Sequence, residues 1–154
     1  MRKQDQRYNF EDVLNRLKRY CSYQERSIHD VELKLAELNV ELKEQQQLIE
    51  QLVKEDYLNQ ERFARAFISG KVRIKKWGKN KIRAALKNKR VDGQLITAAL
   101  TEINEVEYLE NLQSLLFQKQ RRLDGGDKKE KLKVYRYLIA KGYEEDLVYK
   151  EIDW

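Results

Sequence analysis

One pattern of eight residues occurs three times in this chain of 154 residues, at offsets of 51 and 52 residues. Each copy contains a leucine near the end of a predicted helix, then a helix-terminating residue, then an apolar residue and an acid. These are the parts of a helix–turn–helix connection, so their repetition predicts tandem units of one kind. The copies span residues 34–41, 85–92 and 137–144; their leucines are Leu35, Leu86 and Leu138, their terminating residues Asn39, Arg90 and Gly142, and their apolar residues Val40, Val91 and Tyr143.

The composition favours helices throughout the chain. There is no proline, and Glu, Gln, Lys, Leu and Ala lose little side-chain freedom in a helix. Apolar residues recur at steps of three and four, which is typical of amphipathic helices. The clearest stripes are Phe10, Val13, Leu14 and Leu17, and then Leu42, Leu48, Ile49 and Leu52. We therefore predict an all-α fold of three tandem three-helix repeats that form an elongated, curved molecule.

The alignment sets the boundaries of the three predicted repeats. The first, with a short N-terminal tail, covers residues 1–58, the second, basic repeat covers 59–106, and the third covers 107–154. In the first repeat Ser27 is the predicted N-cap of the second helix, and Asp30 completes a capping box. The helices of the other two repeats are predicted at 59–75, 78–88, 92–104, 107–123, 128–140 and 145–152, with a flexible connection at 124–127.

The sequence excludes several classes of protein. It has no run of about 18 uncharged apolar residues, and residues 1–7 lack the apolar stretch of a secretory signal, so we expect a cytoplasmic protein. Cys21 and His29 are the only residues of their types, which rules out an internal disulfide and a structural zinc site. We expect a part-buried Cys21 thiol and a solvated His29. Without a nucleophile motif or a phosphate-binding loop, the sequence predicts neither an enzyme nor a cofactor.

Charge is distributed unevenly along the chain, whose net charge is +6. Residues 10–60 have 7 basic and 11 acidic residues, a net charge of −4, whereas residues 61–111 have 12 and 6, a net charge of +6. From Gly70 to Val91 there are ten basic residues and no acid. Like charges at four-residue spacing repel, so helix stability does not account for the pattern. It favours a polyanionic or acidic partner; the alternative is a patch that only increases solubility.

The basic residues of the second repeat are predicted to lie on two exposed stripes. The apolar residues expected to face inward are Phe63, Phe67 and Ile74 in one helix and Ile82, Ala85 and Leu86 in the next. The candidate contact residues are Arg62, Arg65, Lys71, Arg73, Lys75, Lys76, Trp77, Lys79, Lys81, Arg83, Lys87, Lys89 and Arg90. A second basic cluster, diluted by an acid and more typical of a solvated surface, consists of Lys128, Lys129, Lys131 and Lys133.

Most aromatic residues are expected in the core, because they stand at helix ends or on helical stripes. These residues are Tyr57, Tyr108, Tyr135, Tyr137 and Tyr143. Trp77 differs because it lies inside the basic run, between Lys76 and Gly78. Two roles for Trp77 stay open from the sequence: packing in the core, or stacking on a base or contacting a partner.

Four short motifs, in order along the chain, resemble the RecX family of bacterial regulatory proteins. The family motifs are Ser-x-x-Glu-Leu-x-x-x-Leu, Gly-Tyr-Leu-Asp-Asp-x-Arg-Phe-Ala, Lys-Gly-x-x-x-Ile-x-x-x-Leu and Leu-x-x-x-Gly-Tyr. The matching segments are Ser27–Leu35, Asp56–Ala64, Trp77–Leu86 and Leu138–Tyr143. The chain departs from the family pattern at Asp30, which replaces Glu, at Asp56, which replaces Gly, at Asn59, which replaces Asp, and at Trp77, which displaces Lys.

The resemblance implies a helical-repeat protein that binds along the groove of a RecA filament on DNA. It implies inhibition of the RecA ATPase and of strand exchange, and thus a part in recombination, DNA repair and the SOS response. The expected partners are the RecA filament and, through the basic second repeat, DNA; we expect a monomer with no membrane contact and no cofactor. The alternative hypothesis is a helical nucleic-acid-binding protein that acts without RecA.

Overall fold

The computed structural model describes residues 9–123 and 126–154, and these residues form helices joined by short turns, with no β-strand among them. The prediction of an all-α repeat fold is confirmed. Of the connection predicted at 124–127, residues 124 and 125 lie outside the described residues. The helices are α1 (Phe10–Tyr23), α2 (Ile28–Glu37), α3 (Leu42–Lys54), α4 (Gln60–Gly70), α5 (Lys79–Asn88), α6 (Gly93–Leu100), α7 (Glu105–Arg122), α8 (Lys128–Ala140) and α9 (Glu145–Glu151); a π-helix (Lys71–Lys75) continues α4.

The described residues belong to two compact units. The first contains the described residues up to Phe63 together with Lys89–Val91, and it includes α1, α2 and α3. The second contains the described residues of Ala64–Asn88 and Asp92–Trp154, and it includes the π-helix and α5 to α9. The division of the chain into repeats at 1–58, 59–106 and 107–154 stays a prediction beside this observed grouping.

The residues of the repeated pattern are buried as predicted. Leu35, Leu86 and Leu138 have no exposed surface, and the apolar residues that follow them, Val40, Val91 and Tyr143, are at most 5% exposed. In the first unit Leu35 and Val40 share an apolar cluster with Leu17, Leu48 and Leu52. In the second unit Leu138 and Tyr143 share a cluster with Tyr108, Leu112 and Val148.

The predicted helix-terminating residues adopt the left-handed conformation. The φ angles of Asn39, Arg90 and Gly142 are 58°, 60° and 102°. After α2, the amide of Val40 donates to the Leu35 carbonyl at 3.1 Å, and the amide of Asn39 donates to Ala36 at 3.0 Å. After α8, Tyr143 donates to Leu138 at 3.2 Å and Gly142 to Ile139 at 2.9 Å. Both turns are Schellman motifs, in which the buried apolar residue after the turn contacts the last helical turn.

The predicted capping box at the start of α2 is confirmed. The Ser27 hydroxyl accepts a hydrogen bond from the Asp30 amide at 3.0 Å, and the Ser27 amide donates to the Asp30 carboxylate at 2.9 Å. Two amide groups that the helix itself leaves without partners are thereby satisfied by local side chains.

Three predictions about exposure or helix ends are wrong. Leu42 is 82% exposed, because it is the first residue of α3 and its side chain points back beyond the start of the helix. The sixth helix ends at Leu100 and not at 104, because Asn104 is the N-cap of α7 and accepts from the Glu107 amide at 3.0 Å. Ile74 is 79% exposed, because the extra residue in the turn of the π-helix shifts its side chain away from the core.

Cys21 and His29 differ in how well they match their predictions. The Cys21 thiol is buried, and burial raises its pKa to about 11, so it is neutral and unreactive at neutral pH. His29 was expected to be solvated but is half-buried, and its Nδ1 atom is enclosed without a hydrogen-bond partner among the described residues. The cause is that the start of α2 is itself buried, since Ser27 has no exposed surface.

Candidate nucleic-acid interface

The candidate basic residues divide into two groups according to whether a carboxylate lies beside them. Six have an acidic partner within 4 Å, and these partners come mostly from distant parts of the sequence. The pairs are Arg62 with Glu25 (2.6 Å) and Asp56 (3.1 Å), Arg65 with Glu102 (2.9 Å), Arg73 with Glu107 (3.7 Å), Lys79 with Glu105 (2.7 Å), Lys89 with Asp30 (2.7 Å) and Arg90 with Glu32 (3.1 Å). An ion pair cancels much of a cation's field at a distance, so these six contribute little to a positive surface.

Two of these pairs are reflected in pKa values. The hydrogen bond from Arg62 to Glu25 raises the pKa of Arg62. Burial alone would raise the pKa of Asp30, but the hydrogen bonds from Lys89 and from the Ser27 amide outweigh it and hold the pKa below its ordinary value. Both groups are therefore charged at neutral pH, and both belong to the first compact unit.

The other six cations, which we call the six unpaired cations, have no carboxylate within 4 Å among the residues that the structure describes. They all lie in the second compact unit, between residues 71 and 87. They are Lys71 and Lys75 of the π-helix, Lys76 of the following turn, and Lys81, Arg83 and Lys87 of α5. Arg83 donates a hydrogen bond of 3.3 Å to the neutral Asn80 side chain, which leaves its charge uncancelled. The six unpaired cations are the part of the predicted basic surface whose charge is available to an anionic partner.

A π-helix begins this segment. One extra residue in its turn shifts the side chains that follow, so that Val72 is buried while Ile74 is exposed, contrary to the prediction for Ile74. The widened turn leaves the Val72 carbonyl available, and the Asn111 side-chain amide donates to it at 3.0 Å. The π-helix ends at Lys75, and the next residue, Lys76, is left-handed with a φ of 54°. The helical periodicity of the sequence does not reveal this extra residue.

The turn between the π-helix and α5 is held by four hydrogen bonds to residues of α7 and of the α8–α9 turn. All of these residues belong to the second compact unit. The donors and acceptors are the Tyr143 hydroxyl to the Lys76 carbonyl (2.8 Å), the Gly78 amide to the Lys141 carbonyl (2.8 Å), the Lys79 amide to the Tyr108 hydroxyl (2.8 Å) and the Asn80 amide to the Gly142 carbonyl (2.9 Å). The amide groups of Gly78, Lys79 and Asn80 at the start of α5 are thus occupied by acceptors of the protein itself.

Two glycines make this arrangement possible because their backbones approach closely. A Cβ atom at Gly78 would lie 2.2 Å from the Gly142 carbonyl carbon and 2.2 Å from the Tyr143 nitrogen. A Cβ atom at Gly142 would lie 2.4 Å from the Cβ of Lys81, at a φ of 102°. No side chain fits at either position without moving the backbone.

Tyr108 and Tyr143 hold the turn between the π-helix and α5 through their hydroxyl groups. Their rings pack at a centroid distance of 5.2 Å, and both are buried. The Tyr108 hydroxyl accepts from Lys79 and donates in turn to the Glu144 carboxylate. Burial, and for Tyr108 the hydrogen bond to Glu144, raises the pKa of both tyrosines. Both hydroxyls therefore stay protonated, as the donor roles of Tyr108 toward Glu144 and of Tyr143 toward Lys76 require.

Trp77 is half-buried and carries two ammonium groups on its ring. The Nζ atom of Lys81 lies 4.4 Å from the ring centroid and that of Lys71 lies 4.7 Å from it. Both distances are within the range of a cation–π contact. The structure therefore brings Trp77 together with two of the six unpaired cations.

The second basic cluster occupies the first turns of α8. Lys128, Lys129 and Lys133 are exposed and Lys131 is half-buried. Asp127 caps this helix and accepts from the Glu130 amide at 2.8 Å. Among the described residues no hydrogen bond, ion pair or ring contact joins this cluster to Trp77 or to the six unpaired cations.

The described residues contain no group of three or more His, Cys, Asp and Glu side chains placed to hold a metal ion. No helix among them is long and apolar enough to cross a membrane.

Comparison with known proteins shows which family this chain resembles. Two family models match adjacent parts of the chain: RecX, second three-helix domain, over residues 59–100, and RecX, third three-helix domain, over residues 105–152. The first of these matches contains all six unpaired cations.

Individual relatives agree with the family models. A regulatory protein RecX from Lactobacillus johnsonii is 35% identical over 91 residues, which are 59% of this chain and 34% of that protein. A regulatory protein RecX from Lactobacillus gasseri is 30% identical over 132 residues, 83% of this chain and 48% of that protein. The chain thus spans about half or less of the length of these relatives. The crystal structure of a regulatory protein RecX superposes with a TM-score of 0.83, covering 92% of this chain and 70% of that one at 22% identity, which supports the fold. On these matches, the chain belongs to the RecX family.

Proposed function

We propose that this chain regulates the RecA recombinase by binding RecA filaments on DNA, where it inhibits the RecA ATPase and strand exchange. Membership of the RecX family supports a regulatory role. The proposed contact with DNA rests on the six unpaired cations. On this proposal the protein is a non-enzymatic monomer of the cytoplasm that acts in recombination, DNA repair and the SOS response.

The contact surface is narrower than the list of thirteen candidates from the sequence. The six unpaired cations and Trp77 are the proposed contact residues for DNA. The cations with carboxylate partners contribute less, because a phosphate would have to displace an existing partner before it gained an ion pair. The cluster at the start of α8 is proposed as a solvated surface.

The test is a matched pair of charge reversals. One variant changes Lys81, Arg83 and Lys87 to Glu, and the control changes Lys128, Lys129 and Lys133 to Glu, with the same change in net charge. Both should keep their helicity by circular dichroism, because these side chains lie off the apolar faces. The first variant should lose affinity for single-stranded DNA, and the slope of log K against log[salt] should fall by about 2, which corresponds to three phosphate contacts. Equal binding by the first variant and the parent protein would contradict the proposed surface.

The dependence on RecA needs a separate measurement, because charge alone also fits a nucleic-acid-binding protein that acts without RecA. DNA-dependent ATP hydrolysis by RecA is followed during a titration with the protein at two salt concentrations. Apolar and hydrogen-bonded contacts with RecA resist screening, so inhibition should persist at salt that abolishes binding to bare DNA. Tight binding to bare DNA with no inhibition at either salt concentration would favour the protein that acts without RecA.

A further inference from the structure

We infer that Trp77 is a stacking platform for an unpaired nucleobase, with Lys71 and Lys81 taking the flanking phosphates, so that the surface selects single-stranded over double-stranded nucleic acid. This inference rests on the proposed contact of the six unpaired cations with DNA. It adds a role for an aromatic residue and a choice between forms of nucleic acid that charge alone does not provide.

The position of the Trp77 ring makes it accessible to a nucleobase. Trp77 lies at a turn and is only half-buried, and the charged groups nearest to its ring are ammonium groups and not carboxylates. The two ammonium groups lie 4.4 and 4.7 Å from the centroid of the same ring, and like charges repel each other. A strand that supplies phosphates relieves the repulsion and draws both ammonium groups from the ring.

When a strand binds, each contact that Trp77, Lys71 and Lys81 lose is replaced by a contact with the nucleic acid. Lysine side chains have flexible stems, so Lys71 and Lys81 can turn toward phosphates without movement of the backbone. The ring surface that they leave is apolar and takes the face of a base, as aromatic residues do in single-strand binding proteins. The base replaces the cation–π contacts, and the phosphates replace the solvent around the two ammonium groups.

The rigidity of the turn favours binding. Residues on both sides of Trp77 are fixed, since the Lys76 carbonyl and the Gly78 amide are hydrogen-bonded at 2.8 Å to Tyr143 and Lys141. Little conformational entropy remains to be lost at this turn when a strand binds, because the backbone is ordered beforehand.

The chemistry of the platform explains the preference for a single strand. Bases in a duplex already stack on their neighbours and pair with the opposite strand, and extruding one costs a few kcal/mol. Unpaired bases offer a free face to the ring. A duplex is therefore expected to contact the six unpaired cations without reaching Trp77.

The experiment uses the full chain with Trp154→Phe, which leaves Trp77 as the only tryptophan, since the sequence has two. The probes are an oligo-dT strand, a strand of equal length with abasic deoxyribose, and a duplex. Oligo-dT should quench the fluorescence of Trp77 at saturation, whereas the abasic strand and the duplex should bind without quenching. Affinity should be about 5- to 150-fold higher for oligo-dT than for the abasic strand, the range measured for one stacked base.

Two variants complete the test. Trp77→Leu keeps an apolar side chain without a ring and should bind oligo-dT and the abasic strand equally. Trp154→Ala, which removes an aromatic residue outside the basic segment, should bind oligo-dT like the parent protein. Equal quenching by oligo-dT and the abasic strand, or unchanged discrimination in Trp77→Leu, would each overturn the stacking role. If Trp77→Leu does not fold, the fluorescence of Trp154→Phe decides the question alone.

The result is separable from the test of RecA regulation. Base-dependent quenching without inhibition of RecA would overturn the proposed function and leave the platform intact. Inhibition of RecA without base-dependent quenching would overturn the platform alone. Failure to bind any of the three probes would overturn both the basic surface and the platform.

Discussion

Helices α2 and α5 begin in different ways. The first turn of α2 is completed by its own side chains, Ser27 and Asp30. The first turn of α5 is completed by groups far along the chain, the carbonyls of Lys141 and Gly142 and the hydroxyl of Tyr108. The cap of α2 requires an acid within its own segment, whereas the carbonyls and the hydroxyl that cap α5 do not. Because its acceptors come from elsewhere in the chain, α5 can begin within a segment, residues 70–91, that contains no carboxylate.

We call the carbonyls of Lys141 and Gly142 and the hydroxyl of Tyr108 the remote cap of α5. The largest effect is expected from disrupting this remote cap. Gly78→Ala forces a methyl group to within 2.2 Å of backbone atoms of Gly142 and Tyr143, neither of which can rotate away. We expect the free energy of unfolding to fall by about 4 kcal/mol or more. Urea denaturation followed by circular dichroism measures it.

Gly93→Ala is the matched control for that change. Gly93 is the first residue of α6, and a Cβ atom there meets nothing within 4 Å. Alanine has the higher helix propensity, so stability should stay the same or rise by about 0.5 kcal/mol. A Gly78→Ala protein as stable as Gly93→Ala would show that the two backbones do not approach as described.

A smaller effect is expected from breaking the local cap of α2. Asp30→Asn removes the charge that Lys89 contacts at 2.7 Å and weakens the capping box. We expect a loss of about 1 kcal/mol at pH 7. Asp92→Asn is the control, because Asp92 caps α6 with a hydrogen bond to the Gln94 amide and Asn caps helices equally well.

The loss in Asp30→Asn depends on pH in a predictable direction. The pKa of Asp30 in the folded protein lies below its ordinary value of 3.8, so its carboxylate stabilises the fold above that value. This stabilisation is lost as the pH falls through the lower, folded pKa. The parent protein and Asp30→Asn should therefore converge in stability at acid pH, and a difference that is constant from pH 7 to acid pH would exclude the charge of Asp30 as its cause.

The smallest effect concerns the left-handed residues that follow α2 and α8. Asn39 and Gly142 occupy equivalent left-handed positions, but Asn39 is exposed whereas Gly142 lies against the backbone of Gly78 and Lys81. Asn39→Gly should stabilise the protein by less than about 0.5 kcal/mol, and Asn39→Ala should destabilise it by about 1 kcal/mol. Thermal unfolding of the two variants measures the difference. A stabilising Asn39→Ala would mean that the left-handed turn is not maintained in solution.

Much of the fold was predictable because its signals are local. The burial of Leu35, the capping box of Ser27 and the left-handed turn at Asn39 each depend on residues within a few positions of one another. Leucine spacing and cap chemistry express such features directly in the sequence.

The candidate site was less predictable because its defining features are not local. Whether a cation is paired depends on acids far away in the sequence, such as Glu102 beside Arg65, 37 residues later. The π-helix leaves no periodic signal of its own, so Ile74 was assigned to the wrong side. A chain segment without acids can be recognised in a sequence, but which of its charges remain uncancelled is decided by tertiary structure.

The remote cap of α5 also determines when this helix can form during protein synthesis. The amide groups of Gly78 and Asn80 acquire their acceptors only when the turn at Lys141 and Gly142 is in place. During synthesis, α5 therefore cannot complete its first turn until more than sixty further residues have left the ribosome. In the finished protein, deuterium should reach these two amides only when the α8–α9 turn opens, so the stability of the basic segment is inherited from the C-terminal helices.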